Sequence, residues 1–339
     1  MVDLAATSRN WALTPDGEAR LRAEAPTGWE IAVVRAPTSS DGDGPKGASE
    51  EAQRLIPEAE VYFGFGFTPD LLRAAKKLRW VHSAAAGVGN VLSSGIANTD
   101  IQLTNSAGIH GPPIAEYIVA GILHFLRGLD VAIAQQRRSE WNKTFFVAED
   151  SPLREISECR VLIIGTGGLG GETARRLTAL GATCVGVRRR PQLGAPEGFA
   201  SVTGQDGLDD ELSNADVVVL AAPLTADTTE MMTRERLMRL PKGAIVVNVA
   251  RGAQLDDEAL ADLLERGRLR GAVLDVFREE PLPATSRLWA LPNALITPHV
   301  SPVSPRRFWP RQLELFLTNW HRYDRGEPLL NLVDKHAGY

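Results

Sequence analysis

Cysteine is nearly absent: Cys159 and Cys184 are the only two in 339 residues. Two thiols cannot build the disulfide framework that staples small secreted domains. Both sit in or beside apolar runs, so they are expected to be reduced core residues of a cytoplasmic protein. Long hydrophobic runs are missing as well. The most apolar stretch, residues 114–126, contains Glu116 and His124 and is too short to span a bilayer. The first residues carry no basic head followed by an apolar run, so no signal peptide is expected. Nor is there an excess of one charge. The 37 Lys and Arg against 42 Asp and Glu leave a formal charge of -5, which offers no general attraction to nucleic acid or anionic membrane. No metal site and no internal repeat are expected.

What is present is α/β alternation on a chain long enough for two cores. In the first third, apolar β-rich runs occupy 30–36, 61–66, 78–84 and 101–105, with a helical pattern at 69–77 between them. A polar patch at 38–47 reads as a surface loop. A long amphipathic helix is predicted over 113–129, with Pro113 in its first turn and Glu116 near its positive pole. Residues 134–155 show no clear period. A second series of apolar runs follows at 161–165, 183–187, 217–222, 244–250, 271–277 and 294–297, as expected of strands covered on both faces. Helical patterns at 168–180, 233–240 and 256–266 separate them, and a final helix is predicted over 305–325. Its aromatic stripe of Phe308, Trp309, Phe316, Trp320 and Tyr323 reads as core packing. The expected fold class is α/β, with two Rossmann/flavodoxin-like parallel-sheet domains. The second is inserted between the first and its C-terminal helix, and the cleft between them is the expected ligand site.

The clearest chemical signal is Arg160-Val-Leu-Ile-Ile-Gly165-Thr-Gly167-Gly-Leu-Gly170. An apolar run enters a glycine-rich turn and leaves it as a helix. Gly165 permits the tight turn, Gly167 lets the backbone approach a diphosphate, and Gly170 allows close helix–strand packing. The helix N-terminus offers free N–H groups and a positive pole. In that context the motif predicts a dinucleotide site. After the next strand, Arg188 stands where an NAD-specific site places an acid, with Arg189 and Arg190 beside it. A carboxylate would repel a 2′-phosphate, whereas a guanidinium binds it. NADP(H) is therefore the expected cofactor, with NAD(H) as the alternative.

With these motifs the chain resembles the D-isomer-specific 2-hydroxyacid dehydrogenase family, which includes glyoxylate/hydroxypyruvate reductases, phosphoglycerate dehydrogenases and formate dehydrogenases. The resemblance rests on Trp80-Val-His-Ser-Ala-Ala-Ala-Gly87, 103–116, the glycine loop, Asn248-Val-Ala-Arg251-Gly252, Leu274-Asp275 through Glu280-Pro281, and Thr297-Pro-His299-Val-Ser301. It implies a substrate domain of residues 1–108 with 302–339, and a Rossmann domain of 109–301. It implies Arg251 as the group that binds and polarises the substrate, His299 as the acid/base, and Glu280 as the carboxylate paired with His299. Reducing a 2-keto acid needs those roles, because a proton must reach the new alkoxide while the carboxylate is held. A carboxylate beside the imidazole favours its charged, proton-donating form. Formate-oxidising members carry an amide at the Glu280 position, so Glu280 argues for keto-acid chemistry.

The same resemblance places Gly168 and Leu169 at the diphosphate, and Pro223, Leu224 and Thr228 beside the adenosine and ribose. It puts Val249, Ala250 and Asp275 at the nicotinamide, with Ser301 and His299 also beside the cofactor. Ala86 and Gly87 would offer backbone donors to the substrate carboxylate. His82 and His110 fall in interdomain segments of the family, where they would line the cleft without acting. The arm after Asp130 corresponds to the region through which the family forms homodimers, and Trp141 would pack there. Taken singly, each catalytic candidate also fits a plainer role: a solvated turn for Arg251, an acidic surface run for Glu280, packing for His299. Their joint occurrence at successive strand ends favours the site. The alternatives within reach are an NAD-dependent phosphoglycerate-type dehydrogenase, disfavoured because the sequence stops soon after the final helix, and a non-catalytic dinucleotide-sensing, co-repressor-like protein. Retention of Arg251, Glu280 and His299 disfavours the latter.

Overall fold

The structure, a computed structural model, describes residues 1–6, 11–36 and 47–338. The polar patch at 38–47 lies outside them except for Gly47. The chain divides into two compact units, residues 1–109 with 304–339, and residues 110–303.

The first unit holds a parallel sheet of β1 (Val2–Asp3), β2 (Val61–Gly64), β3 (Trp80–Ser83) and β4 (Gln102–Asn105), in that spatial order. The segment expected as a strand at 30–36 does not form one. Only Val33 bridges Val2, and the N–H groups of Val2 and Val34 bond Ala32 and Val2 carbonyls at 2.8 and 2.9 Å. That rudimentary contact lies on the far side of β1. Counting it as a strand gives the 2-1-3-4-5 order of a flavodoxin-like sheet. Side chains alternate across the pleat. Phe63 and Trp80 meet the Phe308–Asp324 helix, where Phe63 stacks on Phe316 at 4.0 Å between centroids. Tyr62, Val81 and Leu103 face a second cluster with Leu71 and Ile96. The aromatic stripe of the last helix is therefore core, as expected from its spacing.

His82 is a correction. It is fully buried in this core against Phe63, Trp80 and Phe316, with Nδ1 2.7 Å from Thr104 Oγ1 and Nε2 3.2 Å from Ser106 Oγ. Burial pushes its pKa down to about 3, so it is a neutral packing residue rather than a cleft-lining one.

The second unit holds seven parallel strands: β5 (Arg160–Ile164), β6 (Thr183–Val187), β7 (Ser201–Thr203), β8 (Val217–Leu220), β9 (Ile245–Asn248), β10 (Gly271–Leu274) and β11 (Ala294–Ile296). Their order is β7-β6-β5-β8-β9-β10-β11, the doubly wound Rossmann arrangement extended by one strand. Buried apolar clusters cover both faces, which is why these strands read as continuous hydrophobic runs. The order reverses between β5 and β8. Such switch points open a crevice at the carboxyl ends of the strands.

The helix predicted at 113–129 spans Gly111–Leu126, with prolines in its first turn. It stops because Gly128 adopts φ +67°, and the chain turns by 70° into the Leu129–Arg137 helix. Among the described residues, no single helix is long and apolar enough to cross a membrane. Both cysteines are buried and unpaired.

Candidate active site

The glycine loop leaves β5 at the switch point. Gly165 has φ +104°, and a Cβ there would meet the Ala221–Ala222 backbone at 2.7–2.8 Å. A Cβ on Gly170 would stand 1.9 Å from the Gly165 carbonyl oxygen. Both glycines are thus demanded by close packing. Gly167 differs, because a Cβ there would meet nothing within 4 Å. It borders open space at the start of the Gly168–Ala179 helix, which has no side-chain cap. First-turn N–H groups have no partner inside a helix, so those of Gly168, Leu169 and Gly170 are left for an external acceptor. Open space, free N–H groups and a positive helix pole fit a dinucleotide diphosphate.

Arg188 follows β6, on the opposite side of β5 from β8. Its backbone N–H bonds Thr203 at 2.9 Å and its Nη1 donates to Gly194 O at 2.9 Å. Arg189 beside it is exposed. After β8, Thr228 uses its hydroxyl within its own loop: it donates to Pro223 O at 2.7 Å and accepts from Thr225 N at 2.8 Å. This fixes the Pro223–Leu224 segment, and Leu224 is left exposed.

β9 ends at Asn248, a fully buried amide. Its Oδ1 accepts the Ala250 N–H and its Nδ2 donates to Arg251 O, both at 3.1 Å. These bonds clamp the turn that carries Val249, Ala250 and Arg251. Arg251 itself is exposed, with Nη1 donating to Ala250 O at 2.7 Å. The next residue joins two loops. A Cβ on Gly252 would lie 1.8 Å from the Phe277 carbonyl carbon and 2.2 Å from Arg278 N. Only glycine lets the Arg251 turn sit directly on the loop that leads to Glu280.

Glu280 accepts the Phe277 N–H at 2.9 Å through Oε1, while Oε2 lies 2.8 Å from His299 Nδ1. An ionised carboxylate only accepts, so Nδ1 carries the proton and Nε2 is the nitrogen left for a ligand. His299 has φ +53°, a left-handed conformation that side chains other than glycine adopt only when held. The holding group is Asp275, fully buried at the end of β10. Its carbonyl accepts the His299 N–H at 2.9 Å. Its two carboxylate oxygens accept the N–H groups of Val300 and Ser301, each at 2.9 Å, and the Thr297 hydroxyl bonds it as well. Since Thr297 gives its proton to Asp275, Tyr117 must donate to Thr297 Oγ1 across their 2.8 Å contact. Burial raises the Tyr117 pKa to about 12, which keeps it a donor.

His299, Glu280, Asp275 and Ser301 therefore form one hydrogen-bonded group. Gly252 joins Arg251 to it, and Arg188 with Arg189 stands apart beyond the glycine loop. Ala86 and Gly87 belong to the first unit, at the carboxyl end of β3. Their loop is held by Asn105 Nδ2 on Ala86 O at 2.8 Å and by Ser106 N on Ala85 O at 3.1 Å. Sequence reading gave no role to Asn248, Gln254, Thr297 or Tyr117. Asn248 acts on its own turn, two and three residues on, whereas Gln254, Thr297 and Tyr117 act through partners far away in the sequence. Among the described residues, no group of three or more His, Cys, Asp or Glu is placed to hold a metal ion.

The chain has relatives among known proteins. Residues 119–301 match the family described as D-isomer specific 2-hydroxyacid dehydrogenase, NAD binding domain. The glyoxylate/hydroxypyruvate reductase A of Salmonella newport (strain SL254) is 31% identical over 282 residues, covering 80% of this chain and 85% of that protein. A D-isomer specific 2-hydroxyacid dehydrogenase from Xanthobacter autotrophicus Py2, solved with NADPH and MES, superposes with a TM-score of 0.78 at 30% identity, over 100% of this chain and 98% of that one. An NADPH-dependent glyoxylate/hydroxypyruvate reductase from Sinorhizobium meliloti, solved with NADP and sulfate, gives a TM-score of 0.77 at 27% identity, over 100% and 99% of the two chains.

Proposed function

This chain belongs to the D-isomer specific 2-hydroxyacid dehydrogenases, oxidoreductases that act on a CH–OH group, and from that premise we propose that it uses NADP(H) to reduce a small 2-keto acid such as glyoxylate or hydroxypyruvate. The observation that carries this reading is the His299–Glu280 pair. Glu280 accepts from Nδ1 at 2.8 Å, which turns Nε2 outward. An imidazolium in that orientation donates the Nε2 proton to the alkoxide oxygen as the carbonyl is reduced. In the reverse direction, neutral Nε2 takes the proton from the hydroxyl. Glu280 stabilises the charged imidazolium and fixes its tautomer. Arg251 binds the substrate carboxylate or keto oxygen with its planar guanidinium and polarises the carbonyl. Ala86 and Gly87 donate backbone N–H groups to the carboxylate.

A bound nicotinamide supplies the hydride. Gly168, Leu169 and Gly170 hold the diphosphate of that cofactor by N–H groups. Arg188 and Arg189 hold a 2′-phosphate, supported by the absence of an acid after β6 and by the NADPH and NADP in the two related structures. Val249, Ala250 and Ser301 border the nicotinamide, while Asp275, expected there too, is fully buried behind Ser301 and holds it in place; Pro223, Leu224 and Thr228 border the ribose. The protein works in the cytoplasm as a homodimer. The Leu129–Arg137 helix and the segment after it expose Leu129, Ile133, Trp141 and Val147, which a second copy would cover.

The test is NADPH oxidation against a panel of glyoxylate, hydroxypyruvate and pyruvate, with chiral analysis of lactate formed from pyruvate. Turnover giving the D isomer supports the reading. Binding of NADP(H) without turnover of any 2-keto acid replaces it with a dinucleotide sensor. A monomeric mass at micromolar concentration removes the dimer.

A further inference from the structure

The carboxyl ends of β5, β8, β9, β10 and β11 are joined one to the next, and each joint has an identifiable cause. Gly165 packs on the Ala221–Ala222 backbone, and Gly252 packs on Phe277–Arg278. Asp275 ties β10 to the segment after β11. The segments after β8 and β9 are joined by backbone bonds at Glu230 and Met232, and nearer the glycine loop by one side chain, Gln254. It is 1% exposed, and its Nε2 donates to Ala222 O and Pro223 O, each at 3.2 Å. Both amide protons are thus used on carbonyls, which fixes the orientation of the amide. Gln254 Oε1 is left buried with no hydrogen-bond partner among the described residues. Volume alone would not call for an amide; what the amide adds is the pair of bonds to Ala222 O and Pro223 O, kept although its own Oε1 goes unpaired among the described residues. The backbone of Gln254 is held just as firmly: its N–H bonds Arg251 O at 3.2 Å, and its carbonyl accepts from Met232 N at 2.8 Å.

We propose that Gln254 is a positioning residue that fastens the Ala222–Pro223 segment to the Arg251 turn, so that the coenzyme side of the site and the substrate-binding arginine are set as one piece. This rests on the roles proposed above for Pro223, Leu224 and Arg251. Gln254 touches neither ligand and acts through the two carbonyls it holds. Without it, Ala222 O loses its donor, and Pro223 O keeps only the Thr228 hydroxyl of its own loop. The 222–224 segment then shifts against Arg251, and both coenzyme affinity and the chemical step suffer.

The test uses the whole protein with Gln254→Met, which keeps the volume and lacks donors, and Gln254→Asn, which keeps an amide one methylene too short to reach both carbonyls. NADP⁺ affinity, kcat and KM for glyoxylate, and melting temperature are measured for each. The expected result is a loss of NADP⁺ affinity of roughly tenfold and a several-fold drop in kcat at saturating NADPH in both variants. A lowered melting temperature with NADP⁺ affinity and kcat within twofold of wild type overturns the proposal, since that is what a merely structural residue gives. If the wild type binds NADP⁺ but reduces no 2-keto acid, the proposed function fails while the affinity comparison still decides the role of Gln254.

Discussion

His299 Nδ1 and Glu280 Oε2 stand 2.8 Å apart, on loops that leave two adjacent strands, and this contact decides which imidazole nitrogen faces outward. Glu280 is itself oriented by the Phe277 N–H, and His299 is held at positive φ by Asp275. The pair is thus preset by backbone that the rest of the sheet supports.

The first prediction concerns Glu280. In Glu280→Gln the amide Nε2 would face Nδ1 and require it to accept, which moves the ring proton to Nε2 and removes the charge that stabilises imidazolium. The rate of keto-acid reduction is expected to fall by roughly ten- to a hundredfold with NADPH affinity unchanged. Steady-state kinetics with a separate binding titration checks this. Equal losses in both quantities would point to a disordered loop instead.

Gly252→Ala should damage the same pair from a distance. Its Cβ would overlap the Phe277–Arg278 backbone, and the loop carrying Glu280 must then move. A destabilisation of about 1–3 kcal/mol is expected, together with a large loss of turnover. Urea unfolding and activity measured on the same preparation give the two numbers, and a fully active variant would show that the loop gives way harmlessly.

Arg188 should govern the choice of coenzyme. Arg188→Ala removes a guanidinium from the end of β6, and kcat/KM for NADPH is expected to fall by roughly ten- to a hundredfold, the size of a lost charge-assisted hydrogen bond. The value for NADH should move little. If wild-type enzyme already prefers NADH, the assignment of Arg188 to a 2′-phosphate is wrong.

A fourth prediction concerns stability. Tyr62 Oη lies 2.6 Å from Gly66 O and 2.9 Å from Asp3 Oδ2. Tyr62 donates to both, so its one proton is shared and offsets only part of the cost of burying a carboxylate at Asp3. Burial therefore raises the Asp3 pKa from 3.8 to about 6, and below that value the folded protein keeps an acid proton there. The folded protein holds this proton more tightly than the unfolded chain does. The penalty for ionising Asp3 is absent below about pH 4, grows as pH rises, and reaches about 3 kcal/mol above about pH 6. Asp3→Asn keeps an acceptor for the Tyr62 hydroxyl and cannot ionise. Its urea midpoint should exceed wild type at pH 8 and nearly match it at pH 4. An equal difference at both pH values contradicts the assignment.

Much of this molecule could be read before its structure was known, for identifiable reasons. Six of the Rossmann strands, β5, β6 and β8–β11, are apolar, so they appear as continuous runs, even the three-residue edge strand β11. Two other edge elements carry no such signal. β7 is a three-residue strand with an exposed Ser201, and β1 is only Val2–Asp3. The run at 30–36 reads as a strand because it is apolar, yet it makes a single bridge, Val33 to Val2. Arg251, Glu280 and His299 were legible because their residue types and order match a known chemistry. The groups that hold them were not. Asp275 reaches Val300 and Ser301 across 25 and 26 residues, and Gln254 reaches Ala222 across 32. Side-chain bonds to distant backbone leave no periodic trace in the sequence.

The central claim, that His299 moves the proton, is tested most directly by reducing glyoxylate with His299→Ala at saturating NADPH. NADPH binding should be retained while the rate of NADPH oxidation falls by roughly 10²- to 10⁴-fold, the usual contribution of a general acid. A variant that oxidises NADPH with glyoxylate at the wild-type rate would contradict the account.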